Sequence, residues 1–182
     1  MTISFHIFET AIGGCALAWS DQGICGVWLP ERNIEALRGR VLRRFAHALE
    51  CDPPSTVASI VERIVSMMTG KAVAFGDVTL DLQAASDFDR QVYQIARAIP
   101  YGETLTYGDI ATKLGDVQLS RDVGQAMGSN RFPIIVPCHR VIAAHGKLGG
   151  FSAPGGTDTK RRLLEIENAR TSKEPGLFDR RD

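Results

Sequence analysis

Three short apolar stretches open the chain, "ISFHIFET", "CALAWS" and "GICGVWLP". They are rich in residues that favour β-strands. The polar segment Asp21-Gln22-Gly23, which separates the last two stretches, is typical of a hairpin turn. The pattern therefore predicts a small sheet at the start of the chain.

Apolar residues then recur every three or four positions in two segments, as on one face of a helix. The first segment runs from Glu31 to Leu49, and the second is expected to be capped by Ser55 and closed by Gly70. The repeating positions are Ile34, Leu37, Val41, Phe45 and Leu49, then Val57, Ile60, Val61, Ile64 and Met68. An extended segment, "VAFGDVTLDL", follows, and we interpret residues 1–83 as a small α/β domain.

A second unit, residues 84–170, begins with a helix that Asp87 is expected to cap and that Pro100 and Gly102 interrupt. Its inward positions are Phe88, Val92, Ile95 and Ile99. Residues 171–182 are polar and are expected to form a loose tail.

A pair of short helices is predicted inside this second unit. Thr106, with Asp109 three residues later, is typical of a capping box, and Gly115 is placed to end that helix. A further helix is expected from about Leu119 to Gly128, so the pair is interpreted as a helix-turn-helix.

The second helix of the pair has one side almost without side chains. Ser120, Gly124 and Gly128 are spaced by four residues, and Arg121 stands at the margin of that side. Glycine costs up to about 1 kcal/mol in a helix interior, so close approach of another body is the natural reason for it. That body is either another helix or a nucleic-acid backbone, and this helix alone does not decide between them.

Composition excludes several classes of protein. Twenty-one basic residues balance twenty-one acidic ones, so no overall charge indicates a nucleic-acid partner. The four cysteines are scattered, without the spacing of a zinc site or a disulfide framework, which favours a reduced intracellular protein. No apolar run reaches the roughly 20 residues of a membrane span, and no export signal is recognised.

Candidate chemistry centres on "PIIVPCHRV", residues 133–141. Cys138 ends an apolar, strand-like run between two prolines, and His139 and Arg140 follow it. A thiol with a reference pKa of about 8.5 needs a base or a positive charge beside it to react near neutrality. In an extended chain His139 would point to the opposite face, so we expect a bridging water between the two side chains.

Such a histidine needs an acid to hold its tautomer. Glu165 and Glu167 in the predicted last helix are both candidates, and spacing alone does not choose between them. The remaining cysteines, Cys15, Cys25 and Cys51, are interpreted as small hydrophobic residues. The other histidines, His6, His47 and His145, are interpreted as surface or structural groups.

These motifs together resemble the O6-alkylguanine-DNA alkyltransferases. "PCHRV" is the hallmark of that family, "YGETLTYGDIA" resembles its first DNA-contacting helix and "SRDVGQAMGSN" its recognition helix. "GGFSAPGG" and "KRRLLEIE" resemble its active-site loop and final helix. The match covers residues 88–167. The first domain resembles the family's ribonuclease-H-like domain only in its general pattern, and the second is expected to be mostly helical and winged-helix-like.

The resemblance implies a role for each matching residue. Cys138 would accept the alkyl group, His139 and Glu167 would relay its proton, and Tyr107 would protonate N3 of guanine. Asn130 would brace the turn before the nucleophile. The residues that would contact substrate or DNA, with Arg121 filling the gap left by a flipped base, are Arg121, Ser120, Gly124, Met127, Gly128, Val141, Phe151 and Ser152.

The implied function is single-turnover DNA repair. A monomer would dock in the minor groove of double-stranded DNA, flip out O6-alkylguanine, chiefly O6-methylguanine with O4-methylthymine as a further candidate, and transfer the alkyl group irreversibly to Cys138. No cofactor is implied because the cysteine is the final acceptor, and no matching metal-ligand set is found; His6, Cys15 and Cys25 are the nearest candidates. The expected location is the cytoplasm, or the nucleus for a eukaryotic source.

The chain departs from the family pattern at several positions. Phe151 stands where relatives often carry tyrosine, Arg131 replaces a frequent proline, and Asp122 brings a negative charge towards the expected phosphates. Ala153 and Pro154 lengthen the active-site loop.

Three alternative functions remain. The first is a lesion-binding sensor without transfer, although such proteins replace the cysteine. The second, a thiol hydrolase, leaves the helix-turn-helix unexplained. The third, a transcription regulator, has no additional domain to support it.

Overall fold

The computed structural model describes residues 2–170, and the first half of this range builds a four-stranded mixed sheet. The strands are β1 (Ser4–Thr10), β2 (Gly13–Ser20), β3 (Gly23–Trp28) and β4 (Leu49–Glu50), in the order β3-β2-β1-β4. β2 pairs antiparallel with both β1 and β3, and β4 pairs parallel with β1. The three predicted strands and the turn between β2 and β3 are confirmed.

The first helix is shorter than predicted. α1 spans Ile34–Arg44, with the Asn33 side chain accepting a hydrogen bond from the amide of Ala36. The prediction that the helix continues to Leu49 is wrong because Leu49 lies in β4, where its amide donates to the carbonyl of Ile3. Pairing with the edge of the sheet therefore replaces the last helical turn.

The second helix, α2 (Ser55–Met68), is confirmed with a different start. Ser55 is its first helical residue, Pro54 occupies the cap position, and no side chain caps the helix, so the predicted cap is wrong. Gly70 follows the helix with a φ of 89°, as its predicted closing role requires. The expected extended segment at 73–82 forms no strand; only Leu80 bridges to Ile24 of β3.

The second half of the described chain is mostly helical. α3 (Asp87–Arg97) is capped by Ser86, one residue earlier than predicted, and Asp89 completes the capping box. β5 (Leu105–Thr106) leads into α4 (Tyr107–Lys113), where the predicted capping box of Thr106 and Asp109 is confirmed. α5 (Ser120–Gly128) confirms the second helix of the pair. β6 (Val141–Ile142) pairs parallel with β5, and α6 (Gly156–Ile166) follows.

The segment before Cys138 is a folded turn, so the predicted strand is wrong. The Asn130 side chain closes this turn: its Nδ2 donates to the carbonyl of Val136 and its Oδ1 accepts from the amide of Phe132. Ile134 adopts a φ of 77° within the turn and is buried. Side-chain capture of the backbone therefore overrides the strand preference of the apolar run.

One hydrophobic core extends from the sheet and α2 to α3, α5 and α6, and a smaller cluster lies between the sheet and α1. The sheet also bonds directly to the turn before Cys138, since the amide of Val27 donates to the carbonyl of Arg131 at 2.8 Å. None of the helices within residues 2–170 has both the length and the apolar character of a membrane span. The division at residue 83 stays a prediction, and the predicted tail lies outside the described residues.

Candidate active site

Cys138 is the first residue of a short 3-10 turn, Cys138–Arg140, and is 7% exposed. The expectation of an extended backbone at Cys138 and His139 is therefore wrong. Cys138 lines two adjoining cavities, which share Gly128, Cys138, Phe151 and Ser152 as walls. Cys138 therefore borders cavity space although the residue is largely buried.

One of these spaces, the tyrosine cavity, has a volume of about 510 Å³. Besides the shared walls, it is lined by Tyr107, Arg121, Gly124, Met127 and Gly150. Most of the sequence-predicted contact residues thus meet in one place. Ser120 and Val141 do not line it: the Ser120 hydroxyl bonds to the carbonyl of Val117, and Val141 is buried in β6.

The bare side of α5 faces open space. A Cβ atom placed on Gly124 or Gly128 would meet no described atom within 4 Å. No helix of the described range therefore packs closely on Gly124 or Gly128, and these two glycines are not explained by tight helix packing within that range.

His139 is fully buried and bonded to Glu167, with 2.8 Å between Nε2 and Oε1. Of the two candidate acids, the structure thus places Glu167 beside the ring, whereas Glu165 is exposed. Because the carboxylate accepts, Nε2 carries the proton and Nδ1 is left as the acceptor. Nδ1 is buried and has no hydrogen-bond partner among the described residues.

Arg140 was noted in the sequence only as a neighbour of Cys138, and its contact with Glu167 was not predicted. Its Nε and Nη2 donate to the Glu167 carboxylate at 2.9 Å, and its Nη1 donates to the carbonyl of Ile99 at 2.7 Å. The amide of Gly102 also donates to Glu167 Oε2, at 3.3 Å. The available signal was that Arg140 directly follows a histidine that needs an acid, because one carboxylate can accept hydrogen bonds from both side chains.

The charges of the site follow from burial and pairing. Burial alone would raise the pKa of Glu167, but hydrogen bonds from His139 and Arg140 outweigh it and hold the pKa at about 2. Burial lowers the pKa of His139, which keeps the ring neutral near pH 7. Burial raises the pKa of Cys138, against the opposing effects of Asn130 and Lys160. The resting site therefore pairs a protonated thiol with a neutral base.

Lys160 is a site residue that the sequence reasoning missed. Its ammonium donates to the carbonyls of Val141 (2.6 Å) and Gly150 (3.3 Å), and burial lowers its pKa to about 8. Lys160 lies three and four residues before Leu163 and Leu164, on the same buried helix face. That spacing was the signal that this lysine points inward.

Tyr107 lines the tyrosine cavity together with Cys138. Burial raises the pKa of its hydroxyl, and the charge of Cys138 adds to the effect, so Tyr107 is protonated at neutral pH. Gly149, with a φ of 71°, lets the active-site loop approach the ring, since a Cβ there would lie 3.1 Å from the hydroxyl oxygen. A proton donor and a nucleophile thus share one cavity.

No group of three His, Cys, Asp or Glu side chains within residues 2–170 is arranged to hold a metal ion. His6, Cys15 and Cys25 have separate partners instead: the carbonyl of Cys51, the Thr10 hydroxyl and the Asp81 carboxylate, respectively.

The sequence matches known proteins over nearly its whole length. Residues 87–169 match the family model described as "6-O-methylguanine DNA methyltransferase, DNA binding domain". The chain is 44% identical over 177 residues to the methylated-DNA–protein-cysteine methyltransferase of Mycobacterium bovis, covering 97% of this chain and 99% of the relative.

Solved structures agree with the sequence match. The O6-methylguanine methyltransferase of Mycobacterium tuberculosis superposes with a TM-score of 0.74 at 35% identity, covering 98% of this chain and 100% of the other. Mycobacterium tuberculosis OGT in complex with DNA gives a TM-score of 0.71 at 34% identity, covering 92% and 96%. With its thiol, its buried base and acid, and these relatives, the chain belongs to the family of methylated-DNA–protein-cysteine methyltransferases.

Proposed function

We propose that this protein repairs DNA by transferring an alkyl group from O6 of guanine to Sγ of its own Cys138, once per molecule. The observation that carries the proposal is the tyrosine cavity, in which a thiol, a protonated phenol and an exposed arginine converge beside a buried base. A cavity of about 510 Å³ lies within the usual range for small-ligand sites, so it has room for a nucleobase.

The chemistry needs the proton of Cys138 to leave before sulfur attacks. Nδ1 of His139 accepts it through a water, and Glu167 stabilises the imidazolium that forms. Sulfur then bonds to the alkyl carbon, the carbon–O6 bond breaks, and the electron pair moves to the guanine. Tyr107 donates its proton at N3, which stabilises the departing base. The thioether is stable, so the protein is consumed.

DNA reaches the site along α5. An O6-alkyl group lies within the base stack, so the nucleotide is rotated out at a cost of a few kcal/mol. Arg121, exposed at the start of α5 and at the cavity wall, fills the gap. The open side at Gly124 and Gly128 admits the minor groove. A structurally similar relative described in complex with DNA supports this docking.

Further features of the proposal concern the whole chain. We assign a ribonuclease-H-like fold to the first domain and a winged-helix-like fold to the second, and a monomer as the acting species. The four cysteines of the described range are free, and a nucleophilic thiol must stay reduced, which favours the cytoplasm.

The proposal is tested by incubating the protein with duplex DNA that contains O6-methylguanine and weighing its peptides. The peptide that holds Cys138 should gain the mass of one methylene, and Cys138→Ala should abolish the gain. Cys51→Ala, which removes an exposed thiol, is the matched control and should react as the wild type does.

Other outcomes separate the alternatives. Tight lesion binding with an unmodified Cys138 would overturn transfer and favour a sensor. Methylation of Cys51 alone would show adventitious chemistry and would also overturn the proposal.

A further inference from the structure

A second space, the arginine cavity, is also lined by Cys138. It has a volume of about 460 Å³, and four arginines line it: Arg40, Arg43 and Arg44 from α1 and Arg131 from the turn before Cys138. Trp28, at the end of β3, and Pro154, in the active-site loop, contribute apolar surface. No acidic residue is among the residues that line it.

The positive charge of this cavity is largely uncompensated. Arg40 pairs with Glu31 at 2.7 Å, but Arg43, Arg44 and Arg131 have no ion pair with a carboxylate among the described residues. Burial lowers the pKa of Arg44, and the nearby charge of Arg131 lowers it further. In a chain whose charges sum to zero, three unpaired guanidinium groups around one space favour an anion.

The arginine cavity adjoins the reaction site, because Gly128, Cys138, Phe151 and Ser152 line both cavities. In backside attack, sulfur, the alkyl carbon and O6 lie on one line. The rest of the substituent therefore projects to the side of that line. A long substituent on a base in the tyrosine cavity can therefore extend into the arginine cavity.

We propose that the arginine cavity binds the anionic end of an O6-substituent, so that the protein favours O6-carboxyalkylguanine over neutral O6-alkyl groups of equal size. This inference rests on the proposed function and names a substrate class for the same site. The step is balanced: the Cys138 sulfur bonds to the methylene carbon of the carboxyalkyl group, the bond from that carbon to O6 breaks, and guanine leaves with the proton from Tyr107. The carboxylate stays with the new thioether, beside Arg44 and Arg131.

A phosphate of the DNA backbone is the competing occupant. The composition of the walls favours the substituent, since the apolar surfaces of Trp28, Phe151 and Pro154 beside the arginines suit a group with both an alkyl part and a charged end. The bare side of α5 is the surface open to a duplex, and Gly124 lines only the tyrosine cavity of the two.

The test compares two duplexes that differ in one group, O6-carboxymethylguanine and its neutral isostere O6-carbamoylmethylguanine. Both are assayed by quenched time courses of Cys138 alkylation, with O6-methylguanine as a reference. Phosphate contacts affect both duplexes equally, so their ratio isolates the substituent. We expect the wild type to react faster with the carboxylate, and the double variant Arg44→Gln/Arg131→Gln to lower the ratio about tenfold. Arg161→Gln, which changes an exposed arginine that lines neither cavity, should keep it.

The outcomes distinguish this inference from the function on which it rests. A ratio that the double variant leaves unchanged would overturn the anion site while methyl transfer stands. An equal slowing on all three duplexes would also overturn it, and would indicate that the arginines bind DNA phosphate. Absence of any transfer from O6-methylguanine in the wild type would instead refute the proposed function.

Discussion

The Cys138 thiol is protected as well as reactive. Burial raises its pKa, and the thiolate, which is the form that oxidants and stray electrophiles attack, is therefore scarce at rest. His139 supplies a neutral base beside it, with Nδ1 unbonded within the described range. Under the proposed mechanism the thiolate forms only when His139 takes the proton, which suits a residue that reacts only once.

Arg121 is expected to act on the duplex and not on the chemistry. Arg121→Ala should slow alkyl transfer from duplex DNA about tenfold or more, because base rotation loses its compensating contact. Reaction with the free base O6-methylguanine needs no rotation and should keep its rate. Both rates are measured as the appearance of S-methyl-Cys138.

Arg161→Ala is the control for this prediction because the residue is exposed and lies outside the cavities. Equal slowing of the duplex and free-base reactions by Arg121→Ala would contradict a role in flipping.

At the scale of elements, the glycines of α5 lower its helix stability and leave one of its sides open. Gly124 has an ordinary negative φ, and a Cβ there would meet no described atom within 4 Å. Gly124→Ala should therefore raise the free energy of unfolding by up to about 1 kcal/mol, measured by chemical denaturation. Under the proposed docking, the same methyl group would lie against the duplex and should slow transfer from DNA roughly tenfold, since small misplacements of reacting groups are costly.

Gly39 in α1 offers a matched control, because its added Cβ would lie 3.6 Å from a flexible Arg43 side chain. Gly39→Ala should gain stability in the same way without loss of transfer. If Gly124→Ala repaired duplex DNA at the wild-type rate, the bare side would not be a docking surface.

Local sequence signals predicted the helices better than the turns that connect them. The capping box of Thr106 and Asp109 and the spacing of α5 act over a few residues, so the sequence carries them directly. The turn before Cys138 is set by Asn130, whose side chain captures two backbone groups, and apolar content alone resembles a strand. The spacing of Lys160 from the buried leucines of α6 predicts that it points inward, but its charge is typical of an exposed residue.

Tertiary contacts decided the rest of the site. The choice between Glu165 and Glu167 depends on where α6 ends relative to His139, which no spacing along the chain records. Arg140 is placed by a carbonyl that lies 41 residues away, at Ile99. The arginine cavity needs α1 and the turn at Arg131 to meet, and this depends on the docking of the sheet against that turn.

For the whole molecule, Glu167 should make stability depend on acid pH. Its pKa is about 2 in the folded protein against an ordinary 4.5, so its stabilisation is present above pH 4.5 and is lost as pH falls from 4.5 towards 2. Glu167→Gln should lower the free energy of unfolding at pH 7 by about 3 kcal/mol, because Arg140 keeps a buried charge without its partner. Denaturation curves at a series of pH values measure both effects.

The variant should also show a shallower loss of stability between pH 4.5 and 2. Glu165→Gln changes the exposed neighbouring acid and should retain the wild-type profile. Parallel profiles for Glu167→Gln and the wild type would rule out this linkage.

One carboxylate of Glu167 receives hydrogen bonds from a ring, a guanidinium and the amide of Gly102, and Gly102 in turn accepts from the amide of Arg170. These segments are distant in sequence, yet freeing the guanidinium leaves the buried Glu167 charge without its counter-ion, and freeing the ring or the amide leaves the same carboxylate with fewer hydrogen bonds. We therefore expect these segments to loosen together. In a protein whose Cys138 can react only once, such a closed site would limit reaction of the thiol with molecules other than the substrate.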